Sequence, residues 1–135
     1  MIEQETRLDI QAAAWTNDAF RREVLTGKHE QVVVMTIPPG GEIGDEVHPD
    51  NDQVLVFVDG NGEAIIDGER SPVAPNDLVF VHAGTRHNFV NTGDGPMRLI
   101  TVYAPPHHAP GTVHQTKEEA DAAEAGEAAG GTDEE

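Results

Sequence analysis

Glu42-Ile43-Gly44-Asp45-Glu46-Val47-His48, followed after Pro49-Asp50-Asn51 by Asp52-Gln53, is the stretch on which the reading of this chain turns. Glu46 and His48 stand two apart, a spacing that puts both side chains on one face of an extended strand. The texture on either side is that of a sheet. Upstream, Val32 to Ile37 is a run rich in β-branched residues, stopped by Pro38-Pro39-Gly40-Gly41. Downstream, Gln53 to Val58 ends at the turn signal Asp59-Gly60-Asn61-Gly62. Glu63 to Ile66, closed by Asp67-Gly68, then Ser71 to Ala74, Asp77 to Val81, Asn88 to Val90 and Met97 to Tyr103 continue the pattern. Short runs with Gly, Asn, Asp and Pro turns between them predict an all-β sandwich or barrel. Asp18 to Leu25 fits a short helix or a strand equally. After Pro105-Pro106 the chain reads as loop until Thr116-x-x-Glu119, a capping-box pattern that starts a short helix over an alanine-rich stretch.

The chain has 135 residues, the size of one domain. It carries 8 Lys and Arg against 25 Asp and Glu, a net charge of −17. Binding to a nucleic-acid backbone or an anionic membrane surface is therefore excluded as a general mode, because both depend on Lys and Arg. There is no cysteine, so disulfides, thiolate metal sites and cysteine nucleophiles are excluded too. Ser71 is the only serine and sits in a turn, which rules out a serine-hydrolase triad. No apolar run approaches the roughly 20 residues that span a bilayer. The first ten residues carry charges where a signal peptide needs an apolar segment, so a soluble cytoplasmic protein is expected.

Eight acids and no base fall in residues 118–135, about half of the net charge. Gly126 to Glu135 lacks large apolar residues and is expected to be disordered, a solubilising tail. Only two lysines occur, Lys28 and Lys117. An acid-rich, lysine-poor composition suits a protein kept soluble at high salt, and a halophilic source is the corresponding expectation.

Two motifs carry a resemblance. Gly40-x5-Glu46-x-His48-x4-Gln53-x6-Gly60 resembles the first motif of the cupin family, and Asn76-x5-His82-x-Gly84-x2-His87-x3-Asn91 resembles the second. The resemblance runs from about Val32 to Tyr103. It implies an all-β, single-domain cupin β-barrel or jelly roll, here with a short C-terminal helix and an acidic disordered tail. Residues 1–30 are then a lead-in segment, 31–117 the barrel and 118–135 the acidic helix and tail. It also implies one divalent metal ion, commonly in a homodimer, held at positions that match Glu46, His48, Gln53 and His87 here. Glu46 replaces the usual His, Gln53 the usual Glu, Asn76 the usual Gly and His82 the usual Pro.

Two imidazoles, one carboxylate and an amide oxygen keep the ligand charge at −1. Glu46, His48 and His87 resemble a 2-His-1-carboxylate set, which suits Fe(II), with Mn, Ni and Zn as the other candidates. An unpaired buried carboxylate is costly, so a compensating cation is the simpler account than a metal-free polar core. Small cupins of pectin and alginate breakdown also use Gln as a ligand. The positions of their assisting residues match Thr101, Tyr103 and His107, of which only the aromatic is kept. The chain is more similar to small bacterial and archaeal cupins that share the Glu42 to Gln53 core and the Tyr103-Ala104-Pro105-Pro106-His107-His108 ending, often labelled mannose-6-phosphate-isomerase-like on fold alone.

The expected function is a small metal-binding cupin. It acts as an isomerase or lyase, or as a dioxygenase, on a small oxygenated compound such as a sugar acid or carbonyl. Tyr103 and His107 are the candidate catalytic residues. The alternatives are a non-catalytic barrel that binds metal or a small ligand, and a scaffold whose acidic tail docks a basic partner. Nucleic acid and membranes are not expected partners. Asp52 is expected to point out of the barrel and Arg86 to pair with a surface acid. Trp15 and Phe20 are expected to cover the barrel or a partner subunit. His107, His108 and His114 are weighed as a second metal site, a lid or a dimer contact.

Overall fold

A computed structural model describes residues 6–130. The elements are α1 (Ile10–Thr16), β1 (Arg21–Thr26), β2 (Gln31–Ile37), β3 (Asp52–Asp59), β4 (Gly62–Ile66), β5 (Glu69–Val73), β6 (Leu78–Val81), β7 (His87–Asn91), β8 (Met97–Ala104), β9 (Val113–His114) and α2 (Lys117–Gly130). The strands form two antiparallel sheets, ordered β6-β3-β8-β2-β1-β9 and β5-β4-β7. This is a jelly roll, as the spacing of strand and turn signals predicts.

The turns are where the sequence places them. Asp67 (φ 51°) and Gly68 (φ 84°) both take the left-handed conformation that a two-residue hairpin turn requires, and they join β4 to β5. Asn76, at φ 78°, keeps the left-handed backbone that the family pattern ordinarily gives to glycine. Asparagine tolerates that region better than other side-chain-bearing residues.

Alternation along the large sheet sorts the core into rungs. Ile37 pairs with Met97 at the closed end. Above them lie Met35, Leu99 and Phe57, then Val33, Thr101, Leu55 and Val79. The last rung is Gln31, Tyr103, Gln53 and Val81. The lining thus passes from wholly apolar to mostly polar along the barrel. Phe57 meets Phe89 of the small sheet with ring centroids 5.7 Å apart, which closes the two sheets on each other.

The first thirty residues contribute α1 and β1. Asp18 to Leu25, which fits helix or strand by sequence, resolves mainly into β1, paired with β2 and β9. Phe20 joins the core. Trp15 instead lies half exposed over the Arg98 guanidinium, 4.8 Å from its carbon, while Arg98 donates to Ala14 O and Asn17 O at the end of α1. The two aromatics therefore have different roles.

The chain expected to be loop after Pro106 gains β9, a two-residue strand at the sheet edge. α2 starts as its capping box predicts. Glu119 N donates to Thr116 Oγ1, and Gln115 N donates back to Glu119 Oε1. It is the short C-terminal helix expected, 14 residues long. Part of the stretch expected to be disordered, 126–130, is its last turn, and 131–135 lie outside the described residues. Ala120 is buried in the core, so α2 is packed on the barrel. No helix among the described residues is long and apolar enough to cross a membrane.

Candidate metal centre

Glu46 and His48 sit in the loop between β2 and β3, not on a regular strand. Their placement comes from the second motif. Glu46 and His87 exchange backbone hydrogen bonds, each N to the other's O at 2.9 Å. Gly84 N donates to His48 O at 2.9 Å. The turn at 82–85 thus holds the loop, and β7 opens with His87 at the barrel mouth.

The side chains of Glu46, His48 and His87 converge, with one ligand atom from each lying within 4.8 Å of the others. His48 Nε2 is 3.1 Å from Glu46 Oε1, and His87 Nε2 is 3.9 Å from the same oxygen. His87 Nδ1 lies 2.8 Å from Thr85 O. A carbonyl only accepts, so Nδ1 carries the proton and Nε2 presents its lone pair. That Nε2 is buried with no hydrogen-bond partner.

Gln53 is fixed in the same way. Its Nε2 donates to Thr101 Oγ1 at 2.9 Å, which leaves Oε1 buried without a donor. An unpaired buried acceptor costs about 1–3 kcal/mol. Here two occur in one barrel beside a carboxylate. Burial alone raises the Glu46 carboxyl, but the His48 hydrogen bond and charge, with Arg21 and His87, hold it below its ordinary value. Glu46 is therefore an anion at neutral pH, and burial holds His87 below its ordinary value and so uncharged. A carboxylate, the free Nε2 lone pair of His87 and the His48 imidazole have the chemistry to hold a divalent cation, with an amide oxygen available beside them.

Tyr103 lies on the inner face between Gln31 and Gln53, its ring 5.9 Å from that of His48. Burial pushes its phenol well above the ordinary range, so it remains a neutral hydroxyl. His107 stands over the mouth with its ring centroid 4.5 Å from His48. Burial and then His48 push it down to about 4. His108 is pushed down to about 2 by burial and then Arg21.

The residue that positions this pair is Gln31. Its Oε1 accepts from both His107 N and His108 N, at 3.0 and 2.9 Å, and its Nε2 donates to His108 O at 2.6 Å. Sequence reading passed over Gln31, although it is a polar residue at the inward parity of an otherwise apolar strand. Thr101, noted only as a departure from a family pattern, is the partner that orients Gln53.

His107, His108 and His114 do not form a second metal cluster. The one group of three metal-ligating side chains among the described residues is that of Glu46, His48 and His87. His107 and His108 lie beside it, His107 exposed and His108 partly buried. Asp52 is exposed and accepts from Ala83 N, and Arg86 pairs with Asp45 at the surface, both as expected.

A jelly roll with this cluster at its mouth defines a class, and comparison with known proteins agrees. The cupin domain family matches residues 33–103, more than half of the chain, which therefore belongs to the cupin family. The chain is 41% identical over 123 residues to the uncharacterised protein YrkC of Bacillus subtilis, covering 87% of this chain and 66% of that one. It is similar to the crystal structure of BH2720 from Bacillus halodurans, with a TM-score of 0.86 and 38% identity over 88% of this chain and 95% of that one. A predicted oxalate decarboxylase from Thermotoga maritima shares the fold, with a TM-score of 0.60 and 22% identity over 64% of this chain and 79% of that one.

His87, His107 and His108 all sit below the ordinary imidazole value of 6.5. The unfolded chain therefore takes up protons first as pH falls, and stability is lost on acidification. The metal-free protein is expected to show a falling melting temperature from about pH 6.5 toward pH 4. A His107→Gln/His108→Gln variant is expected to show a shallower fall over that range, and equal slopes in thermal melts would contradict these histidines as its source.

Proposed function

We propose that this chain is a cytoplasmic, homodimeric cupin that holds one divalent metal ion through Glu46, His48, Gln53 and His87 and presents it to a small oxygenated ligand. The observation that carries this reading is the pair of buried, partnerless acceptors, Gln53 Oε1 and His87 Nε2, beside an ionised carboxylate. A cation satisfies all three at once, where a water satisfies hydrogen bonds but leaves the buried charge. The donor set, two imidazoles with oxygen ligands, favours Fe or Mn over Ni or Zn.

The bound ion supplies Lewis acidity or, as Fe(II), a site for dioxygen. The chain's own residues bear on which. An enolising isomerase or lyase needs a general base whose pKa lies near working pH. His107, at about 4, is a weak base, and Tyr103 keeps its proton. The Fe-favouring donor set puts a dioxygenase, which needs no such base, ahead of an isomerase. Tyr103 can donate a hydrogen bond within the mouth, beside the exposed His107 imidazole. A barrel that only binds its ligand uses the same contacts, and turnover separates the two.

Elemental analysis of protein purified without chelator is expected to find close to one Fe or Mn per chain. His48→Ala and Glu46→Ala are each expected to abolish it. Absence of metal, with both variants as stable as the parent, would sink the reading. Stoichiometric Zn or Ni would overturn the dioxygenase assignment in favour of a Lewis-acid or structural metal.

The outer face of the large sheet supports the dimer. Phe80 pairs with Val54, and Leu78 with Val56, on the face away from the core. Leu78 is 61% and Phe80 49% exposed on the edge strand β6. Exposed apolar edges of this kind are ordinarily covered. Light scattering is expected to give the mass of two chains, and Leu78→Glu/Phe80→Glu the mass of one. A monomeric parent would refute the dimer.

A further inference from the structure

Arg21 is the largest side chain in the interior and is 2% exposed. It comes from β1 at the register of Met35, on the inner face. Burying a guanidinium is costly unless its donors are used. Here they are poorly used. Nη1 makes two long contacts, 3.3 Å to Glu124 Oε2 and 3.4 Å to His114 Nδ1. Nε is buried with no partner at all. Nε belongs to the side-on edge of the guanidinium fork, one of the edges that bind a carboxylate through two parallel hydrogen bonds.

From the Met35 rung, the guanidinium charge is felt at the Glu46, His48 and His87 cluster above it. That charge acts on Glu46, Tyr103, His107 and His108. The one carboxylate in contact with it, Glu124, comes from α2, and that side chain is 42% exposed. The contact is long and approaches a single nitrogen, so Glu124 holds the guanidinium weakly and a carboxylate that binds it through two hydrogen bonds outcompetes it.

We infer that Arg21 is the seat for the carboxylate of a small ligand, and that Glu124 keeps that seat from within the chain until the ligand displaces it. The inference rests on the metal reading above, which it extends by naming the ligand class and an internal competitor.

Calorimetric titration of the full-length, metal-loaded protein with glycolate, and with methyl glycolate as its uncharged control, tests this. Glycolate is expected to bind and the ester not. Glu124→Gln removes the competitor and is expected to tighten glycolate by about threefold or more. Arg21→Gln is expected to weaken it by about tenfold or more at unchanged metal content, the effect of losing one charge-assisted pair. Arg21→Lys keeps the charge without the fork and is expected to fall between, which decides the matter if Arg21→Gln does not fold. Equal affinity across the Arg21 variants would mean that glycolate sits on the metal alone and would overturn the inference. So would weaker binding by Glu124→Gln, or no binding by parent and Glu124→Gln up to about 10 mM. Metal content measured before each titration separates this outcome from failure of the metal reading. Arg21-dependent glycolate binding by protein stripped of metal would keep the seat and show that it works without the ion.

Discussion

Gln53 Oε1 and His87 Nε2 are acceptors with nothing to accept, buried at the top of an apolar barrel next to the Glu46 carboxylate. The arrangement around them depends on that fact. Each is held in place by a bond on its far side, Thr101 for the amide and Thr85 O for the imidazole. Those two contacts fix amide orientation and tautomer, so both lone pairs are left unused. A polar residue that was merely tolerated in a core would have been satisfied by such neighbours and not stripped of a partner by them. The rungs beneath, down to Ile37 and Met97, supply the apolar floor that makes the unpaired acceptors costly.

The positions of the candidate ligands follow from the same economy of structure. The loop carrying Glu46 and His48 has no regular strand of its own. It is held by backbone bonds to His87 and Gly84, so the two motifs position each other. The substitution of Glu for the usual His at 46 leaves the ligand charge unchanged because 53 has changed from Glu to Gln. The pair of departures is therefore one exchange of charge between two positions of a single site, and Asn76 for Gly is tolerated because asparagine takes the same left-handed backbone.

How much of this was legible follows the range of the interactions. Strands and turns were readable because alternation and turn chemistry are local, and Asp67-Gly68 or Asp59-Gly60 signal themselves. The three clustered side chains were readable through two motifs with fixed spacing. Gln31 and Arg21 were not, because their roles depend on partners at positions 107, 108, 114 and 124, far along the chain. Nor was the role of α2. Composition marks 118–135 as a solvated acidic run, yet Ala120 is core and Glu124 reaches a buried guanidinium. A scaffold with a free acidic tail is therefore a poor description of that segment, at least as far as 125. Trp15 and Phe20, alike by composition, parted because one falls on the outside of α1 and the other just before β1.

The central claim is that a cation joins donors from both motifs in one shell. X-ray absorption spectroscopy at the metal edge of the purified, loaded protein tests it directly. Two imidazole nitrogens with the remaining ligands oxygen are the expected shell, and His87→Ala is expected to lower the imidazole count to one. A shell without imidazole, or one that His87→Ala leaves unchanged, would show that the ion lies elsewhere and would contradict the site.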